Sequence, residues 1–244
     1  MSDSALALSA PTPAGARVAM VSGGARGIGL AIVRELAAAG WQVSVGARSA
    51  AEPPSGAFLP GVLWQPYDAT DPASEVRWVQ ATLARFGRID ALVHNAGILS
   101  NHSVLQATGE EFDRVFEVNV KSPMRLTQQA WPALSSTEGK VVVMSSLAAK
   151  RVRAPEGTLY GMSKAAVLSL AHALRHCGAE ARVRCTAICP GFTDTDMATH
   201  VPAEQRARLT RPEDLARIVR LVLELPASAS VAEIPVSWCV EPSY

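Results

Sequence analysis

In the stretch TLYGMSKAA, residues 158–166, a tyrosine and a lysine stand four positions apart, as Tyr160 and Lys164. On a helix, residues at that spacing share a face, with β-carbons about 5–6 Å apart. An ammonium would then sit beside a phenol. An isolated tyrosine titrates near ~10 and carries no protons at neutrality. A neighbouring cation favours the phenolate and lowers that value, each unit being worth about 1.4 kcal/mol. The pair is thus a candidate proton-transfer dyad, although the same two residues on a solvated helix face would do nothing.

A second chemical signal lies near the amino end. The segment SGGARGIG, Ser22 to Gly29, places Gly23, Gly27 and Gly29 between an apolar run and a helical pattern. Glycines let the backbone turn tightly and approach a phosphate. The amino end of the helix that follows offers unpaired N–H groups and a partial positive charge. The spacing G-x-x-x-G-x-G differs from the common dinucleotide fingerprint G-x-G-x-x-G. At the end of the next apolar run stands GARS, with Arg48 and no carboxylate. A ribose with free hydroxyls calls for an acid there, and a 2′-phosphate calls for arginine. Arg48, with Arg26 inside the glycine turn, therefore points to NADP(H); otherwise Arg48 is a solvated turn residue.

These residues need a scaffold. From Arg17 onward, short apolar runs alternate with segments of helical period, the pattern of a parallel sheet covered by helices. Strands are predicted over 17–22, 41–47, 61–67, 88–95, 139–146, 181–189 and 230–238, and helices over 27–40, 71–86, 109–134, 158–177 and 212–225. Thr108 with Glu111 reads as a capping box, and Asp71 before Pro72 as a helix start. The expected architecture is α/β: a single doubly wound Rossmann-type domain over 17–244, with a seven-stranded parallel sheet flanked by helices. Residues 1–16 read as a flexible arm. The segment RSAAEPPSGAFLP, 48–60, has adjacent prolines and no helical period, so that crossover is expected to be an irregular arm.

Composition narrows the class. The 244 residues carry a formal net charge of +1 and are 48% hydrophobic. No basic stripe marks a nucleic-acid surface. No run of about 18 apolar residues suggests a membrane span, and the amino end lacks the features of a secretion signal. A cytoplasmic location and a small-molecule partner are expected. Cys177, Cys185, Cys189 and Cys239 have neither zinc-site nor C-x-x-C spacing, so no metal is expected and the thiols read as spectators.

Five features occur in order: the glycine turn, HNAG at 94–97, Ser145–Ser146, Tyr160-x-x-x-Lys164, and PGFTDTDM at 190–197. Together they resemble the short-chain dehydrogenase/reductase family over nearly the whole chain, from about Arg17 to Leu225. The resemblance implies an NADP(H)-dependent oxidoreductase moving hydride between nicotinamide and a ketone or secondary alcohol. It implies that Tyr160 is the general acid/base and that Ser146 binds the substrate carbonyl. Lys164 would lower the tyrosine pKa and bind the nicotinamide ribose, and Asn119 would complete a tetrad through a water. The implied cofactor set is Ser22, Gly23, Arg26, Gly27, Ile28, Gly29, Arg48, Asp68, Asn95, Ala96, Gly97, Tyr160, Lys164, Pro190, Thr193 and Thr195. Substrate would meet Ser146, Leu147, Ile98 and Met197. A homodimer or homotetramer, paired through helices starting near Gly109 and Thr158, is implied too.

One role has support in the residues themselves. Pro123 follows Asn119 by four and has no N–H, so the Asn119 carbonyl loses its helical donor. That would free it for a water, or Pro123 simply kinks the helix. Ser146 stands fourteen before Tyr160, one more than the family's usual thirteen, which leaves Ser145 as an alternative carbonyl ligand. His94 is expected to be a packed core residue. Lys150, Arg151 and Arg153 could attract an anionic substrate or form a solvated loop face. The segment from Met197 to Leu209, with His200, is expected to be a lid. The competing function is a non-catalytic NADP(H) sensor or scaffold on the same fold.

Overall fold

The first apolar run forms β1, Val18–Ser22, all five residues buried. Helix α1, Gly27–Ala38, follows the glycine turn directly. Then come β2 (Gln42–Ala47), β3 (Val62–Pro66), α2 (Pro72–Phe86) and β4 (Ala91–His94). The computed structural model describes residues 15–48, 59, 61–198 and 201–240. The expected amino-terminal arm and most of the 48–60 crossover lie outside those residues.

Helix α2 starts as its sequence demands: Asp71 caps it by accepting from the Ala73 N–H, Pro72 occupies the first turn, and Gly87 closes it in a left-handed conformation. The helix expected over 109–134 is instead three pieces: α3 (Gly109–Phe116), a π turn (Glu117–Lys121) and α4 (Ser122–Ser136). Pro123 explains the break, because it offers no N–H to continue a regular ladder and sits at the start of α4. Only half of the expected capping box forms. The Thr108 side chain accepts from the Glu111 N–H, while the Glu111 carboxylate takes Ser100 and His102 instead.

The rest of the chain gives β5 (Lys140–Met144), a 3₁₀ turn (Leu147–Ala149), α5 (Thr158–Cys177), β6 (Arg184–Pro190), a 3₁₀ turn (Asp196–Ala198), α6 (Ala203–Arg206), α7 (Pro212–Glu224) and β7 (Glu233–Val236). All seven strands pair in parallel in the order β3-β2-β1-β4-β5-β6-β7. This is the doubly wound order with one strand added, and its chain reversal falls between β1 and β4, where such sheets open a crevice. Burial on both faces accounts for the nearly unbroken apolar strands. One face packs Trp78, Leu126, Leu134 and Val167 from α2, α4 and α5. The other packs Ile32, Leu36, Leu215 and Val219 from α1 and α7.

Candidate active site

The carboxyl ends of the central strands open into a cleft of about 1180 Å³ that runs from Arg48 and Asp68 at one end to Ser146 and Tyr160 at the other. Its floor is the turn after β1. Gly23 has φ of +67°, and a Cβ there would lie 3.0 Å from the Ala96 Cα. The turn is stitched to β4 by Ser22, whose hydroxyl accepts from the Asn95 and Ala96 amides, both at 3.0 Å. The Asn95 side chain donates to the Ser22 and Gly23 carbonyls. Ser22 and Asn95 thus direct their polar atoms into the protein and hold the cradle. Ser22 is buried and, like Gly29 and Asn119, does not line the cleft. A Cβ on Gly29 would fall 2.2 Å from the Gly23 carbonyl oxygen, so its bareness lets α1 close on the turn.

Gly23, Arg26, Gly27, Ile28, Arg48, Asp68, Asn95, Ala96 and Gly97 all border the cleft, as do Pro190, Thr193 and Thr195 from the loop after β6. Thr195 packs over Gly27. Arg26 differs from expectation: its guanidinium pairs with the Asp196 carboxylate at 2.9 Å, both side chains exposed, which joins the glycine turn to the opposite lip. Asp68 accepts from the Thr70 N–H and hydroxyl, both at 2.8 Å. Those bonds, with Arg48 nearby, hold its carboxyl below the usual range.

At the other end, the two serines separate. The Ser145 hydroxyl donates to the Lys164 carbonyl at 2.9 Å and is buried against α5. The Ser146 hydroxyl donates to the Pro190 carbonyl at 3.3 Å and shares a hydrogen bond with Tyr160. Lys164 lies 5.6 Å from the centre of the Tyr160 ring, but its ammonium donates to the Met144 carbonyl at 2.8 Å. The expected acidification of Tyr160 by Lys164 is not found in this state. Burial pushes the phenol up to about 12, the Ser146 hydrogen bond offsetting part of the rise. Burial also brings Lys164 down to about 8. Desolvation disfavours both charged forms.

Asn119, in the π turn, organises the site through its side chain. Its Oδ1 accepts from the Ile98 N–H, and its Nδ2 donates to the Ile98 carbonyl and to the Ser163 hydroxyl. Ile98, Leu147 and Met197 line the cleft beside Ser146. Lys150 turns away and pairs with Glu233. Arg151 and Arg153 do border the cleft, joined by Arg114, which the sequence reading missed. His94 is buried on Thr127 and depressed by burial to about 3, so it stays neutral. The expected lid comprises the 3₁₀ turn and α6, with Arg206 bound to Asp194; His200 lies outside the described residues. Ser163 and Asp196 were also missed. Only its place before Lys164 could have pointed to Ser163, and nothing in the sequence ties Asp196 to Arg26.

Comparisons with known proteins agree with this architecture. A family model described as short chain dehydrogenase matches residues 17–206. The agropine synthesis reductase of Rhizobium rhizogenes is 36% identical over 219 residues, 88% of this chain and 50% of the relative, so the chain spans about half the length of that protein. An alcohol dehydrogenase from the archaeon Thermococcus sibiricus, solved with 5-hydroxy-NADP, superposes with a TM-score of 0.82 at 29% identity, over 93% of this chain and 99% of that one. A short chain dehydrogenase from Burkholderia cenocepacia J2315, solved with NADP, gives a TM-score of 0.82 at 29% identity, over 91% and 96%. A sheet order of this kind and a family match over most of the sequence lead to one assignment: the chain belongs to the short-chain dehydrogenase/reductase family.

Proposed function

We propose that this chain is an NADP(H)-dependent oxidoreductase acting on a ketone or secondary alcohol, with Tyr160 as general acid/base. The observation that carries the reading is the meeting of the Ser146 hydroxyl, the Tyr160 phenol and the Lys164 ammonium at the end of a cleft whose other end is a glycine cradle. The preference for NADP(H) is supported by Arg48 at the end of β2, and by neighbours solved with NADP or 5-hydroxy-NADP. When bound, the cofactor supplies or accepts the hydride. Glycine-turn amides would receive its diphosphate, Arg48 its 2′-phosphate, and Lys164 its nicotinamide ribose.

Ser146 would hold the carbonyl oxygen and Tyr160 would deliver its proton in reduction, or remove the hydroxyl proton in oxidation. A phenol held near 12 is protonated at neutrality and ready to donate. Asn119 would fix Ile98 against the reacting end and anchor a water at its carbonyl. Four unpaired cysteines support a reducing, cytoplasmic setting. Exposed Phe112, Met124 and Met162 on α3, α4 and α5 support a homodimer or homotetramer.

The test is NADPH oxidation against a panel of carbonyl compounds, with Tyr160→Phe alongside. The wild type should turn over at least one. The variant should lose the 10²–10⁴-fold expected of a general acid while binding NADPH nearly as well. Tight NADPH binding without any turnover would favour the sensor reading.

A further inference from the structure

Arg125, on α4, lies behind the cleft and joins three elements through one guanidinium. Its Nε and Nη2 donate to the Glu75 carboxylate of α2 at 3.0 and 2.9 Å. Nη2 also donates to the Ala69 carbonyl at 3.1 Å, in the loop after β3 where residues 67–70 wall the cleft beside Arg48. Nη1 donates at 2.6 Å to Glu117, the first residue of the π turn that carries Asn119. Ser122 extends the cluster: its single hydroxyl proton goes to Glu75 at 2.7 Å, so the Tyr67 phenol donates to Ser122, also at 2.7 Å. The charges are matched, because Glu117 pairs in addition with the exposed Lys121. The Glu75 side chain is 1% exposed and that of Arg125 20%. Desolvation offsets most of the attraction in such a pair, so burying it is a poor source of net stability. What a guanidinium supplies is direction, since its planar fork fixes the angles between its partners.

Building on the oxidoreductase reading, we infer that Arg125 is a positioning residue for that reaction: through it, occupation of the cleft beside Arg48 and Asp68 fixes the π turn, and with it the hold of Asn119 on Ile98 at the reacting end. Arg125 touches neither cofactor nor substrate. It acts through Ala69 on one side and Glu117 on the other. A ligand that orders residues 67–70 also orders the guanidinium bonded to them, and the π turn then has less freedom left to lose.

Hydrogen exchange of the Ile98 amide, followed by NMR, reads the inference without requiring turnover; steady-state rates and NADPH titration read its effect on the reaction. In the wild type, adenosine 2′,5′-bisphosphate, which reaches only the Arg48 end of the cleft, should slow Ile98 exchange by about three- to thirtyfold, the range of coupling carried by a side-chain network. Arg125→Met should abolish that slowing, weaken NADPH several-fold and lower kcat. Arg125→Lys should restore less than half of the slowing, because an ammonium keeps the charge without the fork. Glu117→Ala leaves the buried Glu75 pair intact and cuts only the arm to the π turn. It should erase the slowing and lower kcat while NADPH affinity stays nearly unchanged, a split that a purely structural bond would not produce. Lys121→Ala, which removes the other partner of Glu117, should alter none of these readings. Absence of slowing in the wild type, or slowing that persists in both Arg125→Met and Glu117→Ala, overturns the inference. Slowing that depends on Arg125 in a chain without turnover upholds the coupling and removes the oxidoreductase reading instead.

Discussion

Asn119 grips Ile98 at both backbone ends, its Oδ1 accepting from the Ile98 N–H and its Nδ2 donating to the Ile98 carbonyl, each at 2.9 Å. A third bond reaches Ser163, next to Lys164. One buried amide therefore ties the strand-end loop, the π turn and α5 together. Asn119→Ala removes three hydrogen bonds, one buried and two part-buried, and strands their partners. It should cost about 2–3 kcal/mol of stability, read by urea unfolding, and it should lower kcat more than it raises the KM for NADPH.

Lys164 titrates near 8, below the value of ~10.4 for an unfolded chain. Between those values the unfolded state binds more protons than the folded state, so stability rises with pH through the window. Below about 8 the folded state bears the full cost of burying the ammonium. Wild-type unfolding free energy should climb from pH 8 toward 10.5, by an amount on the order of 3 kcal/mol, relative to Lys164→Met. Parallel curves for the two proteins would show that the burial cost is absent.

With Tyr160 held near 12, donation is available throughout the neutral range, whereas accepting a proton requires the rare phenolate. Alcohol oxidation should therefore accelerate with pH between 7 and 9, while carbonyl reduction does not gain over that range. Initial rates in both directions check this.

Arg48 borders the cleft just past β2, a strand that no acid closes. Arg48→Ala should weaken NADPH by about 1.5–3 kcal/mol, the scale of a charged hydrogen bond, and barely change NADH. Equal losses for the two cofactors, by fluorescence titration, would rule out the 2′-phosphate role.

Arg26 is engaged by Asp196 across the cleft lip. Exposed pairs contribute little to stability, so Asp196→Asn should leave the melting temperature nearly unchanged. Freed from that partner, Arg26 should tighten NADPH several-fold, an effect that shrinks as salt is raised.

The sheet was readable in advance because buried parallel strands leave apolar runs that need no tertiary context; each predicted strand overlaps an observed one, and only β6 runs past its predicted end, by one residue. The α3–α4 region was legible only in part: Pro123 signalled a disturbance, but a π turn and a kink look alike in sequence. The Tyr160–Lys164 spacing was correct, yet the sign of the tyrosine shift was not, because spacing reports proximity and desolvation depends on what surrounds the pair. Ser145 and Ser146, just past β5, look alike in the sequence; their hydrogen-bond partners differ, the Ser145 hydroxyl going to the Lys164 carbonyl and the Ser146 hydroxyl to the Pro190 carbonyl. Lys150 looked like a substrate cation beside Arg151, and only β7 reveals the Glu233 that draws it away.

The strand order also governs how the molecule is made. β1 is synthesised early but lies between β2 and β4, so one of its edges stays open until the ribosome has released the whole of α2 and the strand after it. During that interval a nascent chain exposes an apolar ribbon with nothing to pair with, the circumstance in which chaperones are recruited. Refolding of the full-length chain should accordingly be slow for its size, since its pairings are non-local.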